Sequence, residues 1–169
     1  IRQEAVNDTR KFSFKKNAKI GTSSARRFTQ LKAFRPDAEI VDLRGNVPTR
    51  IQKLRNRQYD AILIAKAGVD RLKIDLNDFF TVTLDPAEFI PAPAQGVLAI
   101  QVRESDSDLI ERVKTINDSA SSLTSAVERT VMASFEGGCN LPLGAYCRMD
   151  ENENGSPVYK LAVAISESK

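Results

Sequence analysis

The chain has 169 residues, 41% hydrophobic and 28% charged, which suits one globular domain or two small ones and excludes a disordered chain. Its net charge of +3 is too small to argue for nucleic-acid binding by itself, and the absence of histidine removes the commonest general base and metal ligand. Two cysteines, Cys139 and Cys147, are too few for a zinc cluster or a disulfide framework, so no metal site is expected. No apolar run is long enough for a membrane span, and the first residues lack a signal-peptide core. The expectation is a cytoplasmic or organelle-interior protein with no membrane partner. The opening on Ile1 rather than Met suggests a fragment or a processed chain.

In chain order, residues 1–17 are a polar, basic lead-in carrying Phe12 and Phe14. A short strand is predicted over 18–22, with Ser23 or Ser24 as the N-cap of a helix running to Phe34. Ala25, Phe28 and Leu31 are its expected buried stripe, and Arg35-Pro36 ends it. A strand over 39–43 leads to an Arg44-Gly45-Asn46 turn, and Pro48 fits the first turn of a second helix that turns Ile51 and Leu54 inward. The apolar run 60–65 reads as a strand covered on both faces, and Gly68 opens a short helical segment with Arg71. This alternation predicts an α/β parallel sheet, with ligands expected beyond the carboxyl ends of the strands.

Further on, strands are predicted over 81–84 and 97–102, separated by a proline-rich crossing segment at 89–96. Helices are predicted over 106–116 and 119–135, the second with Leu123, Val127, Val131 and Phe135 as its buried stripe. Gly137-Gly138 ends it, and Cys139 follows directly. Strands over 145–149 and 158–166, joined through an Asn-Gly-Ser turn, complete a small α+β unit.

The junction Gly21-Thr22-Ser23-Ser24-Ala25-Arg26-Arg27 carries the strongest functional signal. A strand running into a helix N-terminus presents backbone N–H groups and hydroxyls that suit an anion. Arg26 and Arg27 fall in the first helical turn, where the helix dipole disfavours cations, and Arg44 and Arg50 follow closely. A choice that costs stability locally points to function. The competing reading is a capped helix with solvated arginines.

Five segments occur in order: G-T-S-S-A-R-R-F-T-Q-L, L-R-G-N-V-P-T-R-I-Q-K-L, Y-D-A-I-L-I-A-K-A-G-V-D-R-L, I-P-A-P-A-Q-G-V-L-A-I and E-G-G-C-N-L-P-L-G-A-Y. Together they resemble the porphobilinogen deaminase (hydroxymethylbilane synthase) family. The resemblance runs from about Gly21 to Tyr146. It implies a periplasmic-binding-protein-like, doubly wound, mostly parallel α/β lobe at 1–95 and a return segment at 96–113. It further implies a small α+β domain at 114–169, with an antiparallel sheet packed on helices. These would be the family's second and third domains, the first preceding them. The implied activity is a transferase of porphyrin and heme biosynthesis. It condenses four porphobilinogen units head to tail into hydroxymethylbilane and releases ammonia.

The implied cofactor is dipyrromethane, held by a thioether to Cys139; a thiolate is a good nucleophile toward an electrophilic pyrrole methylene. The pyrrole carboxylates match guanidinium groups, and the matching positions are Arg26, Arg27, Arg44, Arg50 and Arg71, with Ser24 and Gln95 as further contacts. Cys147 reads as structural, as does Asp60. The implied partners are porphobilinogen and the growing polypyrrole chain, bound by a monomer. The family's catalytic aspartate falls in the domain preceding these motifs, so no catalytic residue is assigned and the chain alone is expected to be inactive. Ala94 and Lys73 stand where the family usually has glycine, and Gln101 where it has glutamate. A non-catalytic anion-binding module on the same lobe, taking a carboxylate- or phosphate-bearing small molecule, is the alternative; it has no need of a modified thiol. A nucleic-acid binder ranks last, because the chain has no tryptophan and three tyrosines for stacking.

Overall fold

The computed structural model describes residues 1–135 and 141–166. They fall into two compact units, one built on Ile1–Phe89 and the other on residues 90–135 and Leu143–Ala164.

The first unit is a three-stranded parallel sheet of β1 (Lys19–Gly21), β2 (Glu39–Val41) and β3 (Ala61–Ile62), in the order β2-β1-β3. Ile20 lies opposite Ile40 on one side and Ala61 on the other; Gly21 lies opposite Val41 and Ile62. Each cross-strand row points to one face. The Ile20 row packs with Phe14, Ala18, Leu31 and Phe89, under helix α1 (Ala25–Phe34). The Gly21 row packs with Leu43, Leu54 and Tyr59, under helix α2 (Val47–Arg55). Both faces are therefore covered, as a parallel sheet requires. Full burial of side chains such as Ile20 and Leu31 contributes about 1.5–3 kcal/mol each. Gly21 is needed at its position, because a Cβ there would stand 2.9 Å from the Tyr59 ring and 3.1 Å from Leu43.

The sequence signals at the helix ends hold. Ser24 caps α1, Asn46 caps α2 with Pro48 in the first turn, and a short α3 (Lys66–Arg71) follows β3. The strands are shorter than predicted over 39–43 and 60–65. Pairing on either side runs along β1, whose three residues limit both ladders. The buried face of α1 also departs from expectation. It holds Arg26, Gln30 and Leu31, while Ala25 and Phe28 are half-buried.

Two polar hubs stitch this unit together. Arg35, only 4% exposed, donates to the carbonyls of Lys11, Phe14 and Lys15 and to both oxygens of Asp37. Its hydrogen bonds hold the Asp37 carboxyl well below the usual carboxylate range. Asp60 accepts from Arg2 Nη2 at 2.7 Å, from the Lys19 N–H at 3.0 Å, and pairs with Lys15 Nζ at 3.0 Å.

The second unit contains helix α4 (Ser107–Lys114), helix α5 (Ser119–Ala133) and a two-stranded hairpin sheet of β4 (Leu143–Glu151) and β5 (Pro157–Ile165). Asp106 and Asp118 cap the helices, and β4 packs against α5. Among the described residues, the strands predicted over 81–84 and 97–102 do not form. Alternating apolar residues do not make a strand without a neighbouring chain to take its backbone hydrogen bonds. Leu98, on the second of these segments, is 81% exposed.

The predicted stripe of α5 is likewise corrected. Leu123 and Phe135 are exposed, Val127 and Val131 are half-buried, and the buried residue of the helix is Glu128. On the sheet, Leu143, Ala145 and Cys147 of β4 are buried, whereas Tyr159, Leu161, Val163 and Ile165 of β5 are exposed and Ala162 and Ala164 half-buried. The inward-facing row of β5 is its small residues, so the bulky alternating row faces outward.

Candidate functional site

Because the three strands of the first sheet are parallel, the segments that leave them start on one edge: 22–27 after β1, 42–50 after β2 and 63–71 after β3. The serines fix the first two. Ser23 Oγ donates to the Leu43 carbonyl at 2.9 Å and accepts from the Leu43 N–H at 3.0 Å, tying the start of α1 to the chain leaving β2. Ser24 Oγ accepts from the Arg27 N–H at 3.4 Å, which uses a lone pair and leaves the hydroxyl proton for another acceptor.

Arg26 is 8% exposed, and burial, followed by the neighbouring charge of Arg27, holds its guanidinium down to about 10. Arg27 is pushed down by burial and by the charge of Arg50. Arg27 Nη1 donates to the Leu63 carbonyl at 3.0 Å, beyond β3. Arg50, in the first turns of α2, donates from Nε to the Gly45 carbonyl at 2.6 Å. The backbone there turns sharply: Gly45 has φ 121°, and Asn46 Oδ1 accepts from the Thr49 N–H at 3.0 Å and from its hydroxyl at 2.7 Å.

The structure thus places Arg26 and Arg27 side by side in the first turn of α1, with Arg50 of α2 near enough to Arg27 to repel it. Two other predicted arginines are placed differently. Arg44 is exposed on the turn after β2, where its carbonyl accepts from Lys53 Nζ at 3.0 Å, and Arg71 is exposed in the last turn of α3. Gln95 belongs to the second unit; it is exposed, and its Oε1 accepts from the Ala92 N–H at 3.2 Å. Cys139 lies outside the described residues. Cys147 is buried at 4% exposure, and burial, then the Glu128 charge, pushes its thiol up.

A separate cleft of about 440 Å³ is lined by Lys19, Glu39, Val41, Asp42, Gln58 and Tyr59. Its two carboxylates suit a polyanion poorly. Among the described residues there is no group of three or more potential metal ligands, and no helix is long and apolar enough to cross a membrane.

Sequence reasoning missed Glu128. A glutamate on a helix reads as solvated, yet this one is 7% exposed and accepts two backbone hydrogen bonds. Its place beside the predicted apolar stripe, one residue after Val127, was the available signal.

Residues 3–111 match the family model described as porphobilinogen deaminase, dipyromethane cofactor binding domain, and residues 122–167 match the porphobilinogen deaminase C-terminal domain. The chain belongs to the porphobilinogen deaminase family. It is 44% identical over 144 residues to a porphobilinogen deaminase of Bacillus cereus, covering 83% of this chain and 46% of that protein. It is 45% identical over 152 residues to one of Fusobacterium nucleatum, covering 90% of this chain and 49% of that protein. The chain spans about half the length of the curated relatives it matches.

The residues on the sheet edge fit the cofactor that the family model names. A dipyrromethane bears several carboxylates, and Arg26 and Arg27 in the first turn of α1, with Arg50 of α2 beside Arg27, offer charge, forked donors and N–H groups for them.

Proposed function

We propose that this chain holds the pyrrole carboxylates of a tetrapyrrole-forming transferase, the porphobilinogen deaminase (hydroxymethylbilane synthase) reaction. In it, four porphobilinogen units are joined head to tail and ammonia is released at each step. The observation that carries the reading is the placing of Arg26 and Arg27 in the first turn of α1, with Arg50 of α2 beside Arg27. Like charges that depress one another, placed where a helix dipole already disfavours cations, raise the free energy of the protein without ligand. A carboxylate-bearing ligand reverses both effects at once.

In this reading the exposed Arg44 and Arg71 bind the outer carboxylates of a longer polypyrrole, and Arg26 and Arg27 the inner ones. Ser24 contributes its hydroxyl proton, and Gln95 a side-chain amide. Cys139 holds dipyrromethane as a thioether. When bound, that cofactor supplies the primer to which pyrrole units are added. This reading assigns the proton-handling role to no residue of the chain, and the 169 residues alone are expected to form no bilane.

The same reading takes residues 1–95 as one lobe of a periplasmic-binding-protein-like fold, 96–113 as a return segment and 114–169 as the cofactor-bearing domain. What supports it is the parallel sheet covered on both faces and the separate family-model match at 122–167. The protein would act as a monomer on porphobilinogen, in the cytoplasm or an organelle interior.

The test is the intact mass of the chain before and after incubation with hydroxymethylbilane, with Cys139→Ser in parallel. A gain of one hydroxymethylbilane less one water, as the Cys139 thiol displaces the terminal hydroxyl, is expected on the parent chain and none on the variant. An equal gain on both, or none on the parent chain, would count against Cys139 as the attachment point in this chain.

A further inference from the structure

Glu128 is the buried residue of α5, and both of its carboxylate oxygens are used. Oε2 accepts from the Ala94 N–H at 2.6 Å and Oε1 from the Cys147 N–H at 2.7 Å. The donors come from segments 34 residues before it and 19 residues after it. Hydrogen bonds to an ionised carboxylate are short and strong, and each fixes a backbone position rather than a rotatable side chain.

The segment held through Ala94 is a tight one. Ala94 has φ 55°, and the Gln95 N–H donates back to the Ala92 carbonyl at 3.0 Å. The same segment is stitched to β4 a second time, by the Ala145 N–H donating to the Pro91 carbonyl at 3.0 Å. One carboxylate therefore binds helix, strand and turn together, and the residue immediately after the bound amide is Gln95. An apolar residue at position 128 would fill the space without the cost of desolvating a charge. The carboxylate does what an apolar side chain cannot, because it sets the turn's orientation through two directional bonds.

We infer that Glu128 is a positioning residue for Gln95: by accepting from Ala94 and Cys147 at once, its carboxylate fixes where the Gln95 side chain is presented to a pyrrole carboxylate. The inference rests on the role proposed above for Gln95.

The clamp is tested in the unmodified chain by NMR. Couplings across the hydrogen bonds, from the amide nitrogens of Ala94 and Cys147 to the Glu128 carboxylate carbon, are expected together with slow exchange of both amides. Absence of both couplings overturns the clamp. Its purpose is tested with Glu128→Gln, Gln95→Ala and the double variant, titrated with porphobilinogen in a calorimeter alongside thermal melts.

Glu128→Gln is expected to weaken binding about tenfold, and to weaken it no further in the Gln95→Ala background. Equal losses in both backgrounds, tracking the melting temperature, would mean that Glu128 only stabilises the fold. If Gln95→Ala binds porphobilinogen as tightly as the parent, the Gln95 role fails, and the positioning role with it, while the couplings still report on the clamp. Should Glu128→Gln not fold, Glu128→Asp carries the same comparison. It keeps the charge, but its shorter stem cannot span both amides.

Discussion

Arg27 donates from Nη1 to the carbonyl oxygen of Leu63 at 3.0 Å, so the first turn of α1 is tied to the chain leaving β3. The same guanidinium is pushed down by burial and by Arg50. It is therefore both a strut and a candidate ligand donor. The two jobs separate chemically, because a strut needs one N–H and a carboxylate clamp needs the planar fork.

Arg27→Lys keeps the charge and one donor but loses the fork. Its effect on folding is expected to stay under about 1 kcal/mol, the net worth of an ordinary hydrogen bond. Affinity for porphobilinogen should fall by about tenfold or more, as befits the loss of a bidentate pair. Thermal melts and calorimetric titration of the same preparation check both halves. A large drop in melting temperature with unchanged affinity would make Arg27 a strut alone.

Ala94 and Lys73 occupy positions where the resemblance to the family implies glycine. Both have left-handed backbones, with φ 55° and 48°. A side chain there costs roughly 1–2 kcal/mol, of which the extra chain entropy of glycine gives back about 0.4–1. Ala94→Gly and Lys73→Gly should each stabilise the chain by about 0.5–1 kcal/mol, read as an increase in the urea midpoint. Destabilisation by either would show that its side chain contributes more than its backbone strain costs.

Gly144 is an instance of close approach rather than of unusual φ. A Cβ there would lie 2.9 Å from the Ile90 carbonyl oxygen and 3.0 Å from that of Pro91. Backbone oxygens cannot rotate away, so β4 would have to move and strain the Ala145–Pro91 hydrogen bond. Gly144→Ala is expected to cost about 1–3 kcal/mol by denaturant unfolding. An unchanged midpoint would mean that β4 shifts freely at this point.

Asp60 is subject to opposing influences. Burial raises its pKa, while the Lys19 N–H and the Lys15 and Arg2 side chains lower it, and the lowering wins. The folded value therefore lies below the unfolded one, about 3.9 for an aspartate. Its stabilisation is fully present above about pH 4 and is lost as pH falls through the folded value. Asp60→Asn should be less stable than the parent chain at neutral pH and should lose less of its stability on acidification. Parallel acid profiles for the two chains would remove Asp60 from the account.

What the sequence determined by itself was local. Ser24, Asn46 with Pro48, Asp106 and Asp118 mark helix starts through hydrogen bonds to residues three positions on, so the helices could be read from short windows. The hairpin turn at 152–156 is equally local, and the family followed from five motifs in order.

The tertiary structure decided everything that depends on partners distant in the chain. Residues 97–102 carry a strand pattern, yet a strand forms only where another chain segment takes its hydrogen bonds. Five arginines between 26 and 50 look alike in sequence. Folding buries Arg26 on α1 and leaves Arg44 exposed on the turn after β2, because burial depends on what the rest of the chain packs against each position. Glu128 shows the same limit most sharply. Its donors lie 34 residues before it and 19 after it, and no window around a helical glutamate contains them.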